Sequence, residues 1–241
     1  VCGRYALYGP ASRLRERFDL DAIAEFAPRY NIAPTQLAPV IVRERGGPRT
    51  LTLAKWGLTP SWVKNPATIN RPINARAETV AAKPMFRDAF RHRRVLVPAR
   101  GFYEWQLRAG RKQPWFIGMA DGDLFGFGGL LETWRGPEGE IATFALITTP
   151  PNELCATIHD RMPLIVAPQD HADWLDPAFA GAAALLKPYP AEQMRAYPVG
   201  MAVNRAANEG PGLVEPLVSS GSPCAPIQPR CAWRTLTGRG V

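Results

Sequence analysis

Apolar and polar residues alternate in short runs along most of the chain, and the period of the pattern changes several times. "TLTLAKWGL" has period two: Leu51, Leu53 and Lys55 fall on one side and Thr52, Ala54 and Trp56 on the other, which predicts a strand. "RRVLVPARGFYEWQ", "QPWFIGM", "DLFGFGGLLETW" and "TFALITTP" predict further strands, and "ADGD" between the second and third predicts a hairpin. "YNIAPTQLAPVIV" opens with turn chemistry and then reads extended, because Pro34 and Pro39 disfavour a helix. "MPLIV" and "YPVGMAV" predict later strands.

Helical pattern is sparser. "ASRLRERFDL" places Leu14 and Phe18 four apart, with Ser12 as a candidate cap. "NARAETVAAKPMFRDAF" is rich in helix formers, interrupted at Pro84. "PPNELCATIHDRM", "PQDHADWLD" and "FAGAAALL" predict short helices. Strands and helices intermix without the regular strand–helix–strand spacing of a parallel sheet. The expected fold is α+β: a single mixed domain with a largely antiparallel, curved or barrel-like β core and flanking short helices. That domain is expected over residues 1–217. From 218 to 241 Ser, Gly, Pro and scattered Arg show no amphipathic period, which predicts a poorly ordered basic tail.

Hydrophobic residues make up 46% of the 241, enough for a substantial core. A net charge of +8 points to a polyanionic partner, nucleic acid ahead of acidic lipid, or to an arginine-rich composition with no partner meaning. No run of about 18 apolar residues indicates a membrane span, and no export signal is evident. The four cysteines, Cys2, Cys155, Cys224 and Cys231, form no CxxC pair. That speaks against a zinc site and fits a reducing, cytoplasmic compartment. Cys224 and Cys231 fall in the tail, as free thiols or as a disulfide or metal pair.

Reactive residue types sit in four otherwise apolar or turn-rich stretches. Each has a plain structural explanation beside a chemical one. Cys2 could be an inert buried thiol. Asn74 in "INARAET", near Arg76 and Glu78, could cap a helix. Glu104, between Tyr103 and Trp105, could pair with an arginine. His159 could be a structural hydrogen bonder, and Asp160–Arg161 a surface ion pair of little energetic weight.

In this order, however, "CGRY", "YNIAPTQ", "WGLTPSW", "INARAET", "VPARGFYEWQ" and "IHDRMPLIV" resemble the motif set of the SOS-response-associated peptidase family, also called abasic-site processing proteins. The resemblance spans about residues 2–217, and "VNRAANEGPGLVEPL" is similar to the family's closing segment. It implies a protein that binds single-stranded DNA at an abasic site and captures the sugar aldehyde. An N-terminal cysteine does this by forming an imine through its amine and then closing a thiazolidine ring through its thiol. By position, Cys2 would react and Glu104 would shuttle protons, its carboxyl raised in pKa between two aromatic rings. His159 would protonate the sugar hydroxyl and assist reversal, and Asn74 would orient the sugar. Arg4, Arg76 and Arg161 match phosphate-contacting arginines, and Trp62 and Trp105 would stack on bases. Some relatives carry a second aromatic after "PSW"; Val63 stands there in this chain, which implies weaker stacking. The resemblance implies no cofactor and no metal, and a monomer suffices.

Val1 conflicts with that chemistry, because while it is attached the Cys2 nitrogen is an amide. The expectation is that Val1 reads a GTG start codon, is methionine in the cell, and is trimmed. Two other functions fit the same residues. One is a cysteine peptidase using Cys2, His159 and Glu104. The other is a non-covalent single-strand binder. Strand cleavage by β-elimination from the imine is a further possible activity.

Overall fold

The computed structural model describes residues 2–23, 26–44, 46–137, 139–219 and 222–223. Of the tail expected from residue 218, Val218–Ser219 and Ser222–Pro223 pair as a two-stranded antiparallel ribbon; Val1, Cys224, Cys231 and the rest of the tail lie outside the described residues. The strands of the two main sheets are β1 (Tyr5–Leu7), β2 (Arg29–Ile32), β3 (Leu37–Arg43), β4 (Arg49–Trp56), β5 (Asn74–Arg76), β6 (Arg94–Ala99), β7 (Gly101–Arg108), β8 (Arg111–Met119), β9 (Phe125–Gly136), β10 (Gly139–Thr149), β11 (Met162–Pro163), β12 (Ile165–Val166) and β13 (Met194–Pro198). Four short α-helices join them: α1 (Ala11–Phe18), α2 (Arg87–His92), α3 (Glu153–Ala156) and α4 (His171–Leu175).

Two sheets share one core. The first has the order β13-β8-β7-β1-β2 and is antiparallel throughout. In the second, β10-β4-β3-β6-β9 run side by side and β9 pairs back to β10, closing a five-stranded barrel. Closure removes the exposed sheet edges that would otherwise template aggregation. The architecture is thus the expected α+β fold with a mostly antiparallel core, except that β4 and β5 both run parallel to β10.

The sequence accounts for the seam between the sheets. All six residues of β6 ("RVLVPA") are buried, as a strand covered on both faces requires. Tyr5, Trp56 and Phe127 meet edge-on, with Tyr5 5.4 Å from Trp56 and 5.7 Å from Phe127. Such pairs contribute about 0.5–1.5 kcal/mol each beyond area burial. At the start of β7, a Cβ on Gly101 would lie 2.1 Å from the Phe116 ring, so only glycine lets β8 seat that ring there.

Local expectations fail where tertiary pairing overrides them. Residues 74–76 are not helical: they form β5, drawn into register with Leu146–Thr148 of β10. The following alanine-rich stretch turns repeatedly, and helix resumes only at α2. Asn74 therefore caps nothing. Ser12 lies inside α1, whose N-cap is Pro10 without a side-chain bond. "ADGD" does turn the chain, Gly122 N–H donating to the Met119 carbonyl at 3.0 Å. It joins no hairpin, because β8 and β9 belong to different sheets. "MPLIV" splits around Leu164 into β11, on β10, and β12, on β9. In "YPVGMAV" only Tyr197–Pro198 is strand; Met201–Asn204 is a 3₁₀ turn.

Candidate active site

Cys2, Asn74, Glu104 and His159, 157 residues apart at the extremes of the sequence, converge where β1, β5, β7 and the loop after α3 meet. Antiparallel pairing of β1 with β7 continues one step back along the chain, Tyr103 N–H donating to the Arg4 carbonyl at 3.0 Å. That brings Cys2 beside Glu104. Cys2 is fully buried and Glu104 is 3% exposed.

The backbone N–H groups of Cys2 and Trp105 lie near enough to the Glu104 carboxyl to favour its charged form. Asn74 Nδ2 donates to the Cys2 carbonyl at 3.1 Å. Asn74 thus holds the Cys2 backbone at its carbonyl, while Glu104 lies on the nitrogen side. Glu104 lies 4.0 Å from His159 Nε2.

Burial sets the protonation states. Desolvation raises the Glu104 carboxyl to about 7, although the two N–H donors oppose the shift. The Cys2 thiol is raised well above its usual value by burial and then by the Glu104 charge. Burial lowers His159. His159 Nδ1 faces two partners with opposite demands: Arg161 N–H donates to it at 3.1 Å, and an Asp160 carboxylate oxygen lies 2.8 Å away. A neutral ring satisfies the first and leaves its proton on Nε2, toward Glu104. An imidazolium satisfies the second.

Glu104, Trp105 and His159 line one open cleft of about 570 Å³, together with Arg111, Lys112 and Asn204. Trp105 Nε1 donates to Asn204 Oδ1 at 2.8 Å, fixing the indole as a wall. Arg111 and Lys112 open β8 just after the β7–β8 turn, and sequence reasoning missed them; the basic "RAGRK" was the available signal.

The expected DNA-contacting residues divide by environment. Arg76 is exposed on β5 and Trp62 is 62% exposed. Arg4 Nη1 donates to Asn31 Oδ1 at 2.9 Å and to the Val203 carbonyl at 2.7 Å, tying its guanidinium to the protein. Arg161 makes a two-pronged pair with Glu78, whose carboxyl it holds below the usual range, and also donates to the Thr148 carbonyl at 2.7 Å. Val63 is 6% exposed and anchors the turn that presents Trp62, so it offers no stacking surface. Cys155, buried and raised to about 12 by desolvation and by Glu104, is a second thiol in this neighbourhood. Among the described residues no His, Cys, Asp and Glu cluster could hold a metal ion, and no helix is long and apolar enough to cross a membrane.

The chain is 40% identical over 223 residues to the abasic site processing protein YoqW of Bacillus subtilis, covering 89% of this chain and 99% of that one. It is 31% identical to YedK of Escherichia coli, covering 90% and 100%, and 30% identical to HMCES of Gallus gallus, covering 90% and 78%. Both of these are likewise named abasic site processing proteins. A crystal structure of a Bacteroides thetaiotaomicron protein superimposes with a TM-score of 0.80 at 28% identity, covering 90% of this chain and all of that one. A family model described as SOS response associated peptidase (SRAP) matches residues 1–206. The chain belongs to the SRAP family.

Proposed function

We propose that this protein processes abasic sites in DNA by forming a covalent thiazolidine with the opened sugar on single-stranded DNA, acting as a monomer in the cytoplasm at the nucleoid. The observation that carries the reading is the burial of the Cys2 backbone beside a Glu104 carboxyl titrating at about 7. A nitrogen facing an acid–base group suits amine chemistry, once residue 1 has been removed and that nitrogen is a free amine.

The steps balance through Glu104. The Cys2 amine adds to the sugar aldehyde, and the carbinolamine loses water as Glu104 supplies a proton to the leaving hydroxyl. This leaves a protonated imine and a Glu104 carboxylate. The thiol sulfur then adds to the imine carbon, and its proton passes to the carboxylate. One water is lost overall. The order is set by the thiol: burial and the Glu104 charge suppress thiolate in the resting protein, and the iminium cation beside the sulfur offsets that suppression. Asn74, on the Cys2 carbonyl, holds the residue in place and can reach the sugar. His159, as the imidazolium that the Asp160 carboxylate favours, is suited to protonate the ring oxygen as the sugar opens, and the neutral ring left behind to assist reversal as a base. β-Elimination from the imine, which cleaves the strand, competes with ring closure.

The buried, protonated thiol favours this reading over a cysteine peptidase, which needs a thiolate paired with its histidine at rest. The test is incubation with single-stranded oligonucleotides with and without one abasic site. A heat-stable protein–DNA band restricted to the damaged strand is expected. Its persistence in Cys2→Ala would refute the ring mechanism.

A further inference from the structure

On the outer face of the barrel, a second cavity of about 350 Å³ opens beside the turn that carries Trp62. Its size is at the lower end of the roughly 300–1,000 Å³ of small-molecule sites, enough for one nucleoside unit. Two cations, Lys55 and Arg71, line it, and none of the lining residues is acidic. Among the described residues neither cation takes part in an ion pair, so their charge faces the cavity uncompensated. One wall is the indole of Trp134. That ring is locked: its Nε1 donates to the Val63 carbonyl at 2.6 Å. It also lies so close over Gly136 that a Cβ there would be 1.9 Å from the ring. Thr59 and Asn65, at the two ends of the Trp62 turn, complete the polar rim. Thr59 N–H is held by Thr143 Oγ1 at 2.9 Å, which fixes the turn to β10.

A rigid aromatic plane beside two unpaired cations, with no carboxylate in the lining, is complementary to a base and its phosphate. We propose that this cavity is a second nucleotide subsite, in which Trp134 stacks a base and Lys55 and Arg71 hold the attached phosphate. The unit belongs either to a strand running from the reacting centre past Trp62 or to a free nucleotide. The first source rests on the single-strand reading above.

The experiment compares the full-length protein with Lys55→Gln/Arg71→Gln. Single strands with one abasic site are lengthened nucleotide by nucleotide on either side, and affinity is read by fluorescence anisotropy. In a separate arm dAMP is titrated against intrinsic tryptophan fluorescence. Beyond a threshold length on one side, the variant is expected to bind about tenfold more weakly, with the salt slope reduced by about 0.7 for one lost phosphate contact. Shorter strands should bind both proteins equally, and Lys55→Arg/Arg71→Lys should restore long-strand binding. A dAMP response lost in the variant without any length effect assigns the cavity to free nucleotides. Equal affinity at every length together with an identical dAMP response overturns the subsite. Absence of any covalent product in the wild type, with the length effect intact, would sink the crosslinking reading and leave the subsite standing.

Discussion

Replacing Glu104 by glutamine separates what this carboxyl does for the reaction from what it costs the fold. Its folded pKa is about 7 against an ordinary 4.5, so the folded protein holds a proton through that window that the unfolded chain has released. Stability therefore falls as pH rises from 4.5 to 7, and the whole cost is present above pH 7. At 1.36 kcal/mol per pH unit, the cost is on the order of 3 kcal/mol. Glutamine keeps the shape and a polar oxygen but carries no charge to desolvate. Glu104→Gln should therefore melt higher than the wild type at pH 8, by on the order of 6–12 °C for a chain of this size, and should gain little at pH 4.5. The same substitution should slow single-turnover crosslinking by about 10²–10⁴, the range for a lost general acid–base. Differential scanning calorimetry at the two pH values, alongside a quenched crosslinking time course, reads both effects. A variant with the same pH-independent melting difference at pH 4.5 and 8 would show that burial does not raise this carboxyl, and the acid–base argument would fall with it.

Asn74→Ala removes the bond to the Cys2 carbonyl and should lower the crosslinking rate by about 10–100-fold with strand affinity unchanged, as a misplaced reactant does. Trp62→Ala should cost about 1–3 kcal/mol of single-strand affinity by anisotropy and leave the melting temperature unaltered, since the indole is 62% exposed. A buried thiol with suppressed thiolate should resist alkylation: iodoacetamide at pH 7.5 should modify Cys2 at least about tenfold more slowly than a free cysteine, read by peptide mass spectrometry.

The strands were legible because β-branched and aromatic runs carry their own period, and the barrel follows from their number and length. What the sequence hid is non-local. Helix propensity in "NARAET" is real, yet three residues of it gain more by pairing with β10 than a short, uncapped helix could supply. "ADGD" encodes a turn, whereas the partners of the two strands it joins are chosen by the closure of the barrel. The tight β7–β8 connection instead uses Ala109 and Gly110, both at positive φ, a turn that "RAGRK" announces weakly. Alternation in β4 was right as a period but not as a guide to burial: Ala54 and Trp56 face the core, while Leu53 is 56% exposed.

The site shows the same division. Motif order singled out Cys2, Asn74, Glu104 and His159, but no spacing along the chain says that Asn74 holds the Cys2 carbonyl while Glu104 lies beside the same residue. The basic residues Arg111 and Lys112 escaped notice because a charged turn looks like solvent-facing punctuation until the cleft beside it is seen. Conversely, the resemblance marks Arg4 and Arg161 as phosphate-contacting, and the fold engages both with acceptors of its own, Arg161 with Glu78 and not with the neighbouring Asp160.

The central claim is that the Cys2 amine and thiol together capture an aldehyde, and intact-mass spectrometry tests it most directly. The purified protein is weighed before and after exposure to a single strand bearing one abasic site. The account predicts a chain beginning at Cys2 and an adduct equal to protein plus strand minus one water, stable to heat without reductant. A covalent adduct on a chain that still carries Val1, or one that survives only after borohydride trapping, would contradict it.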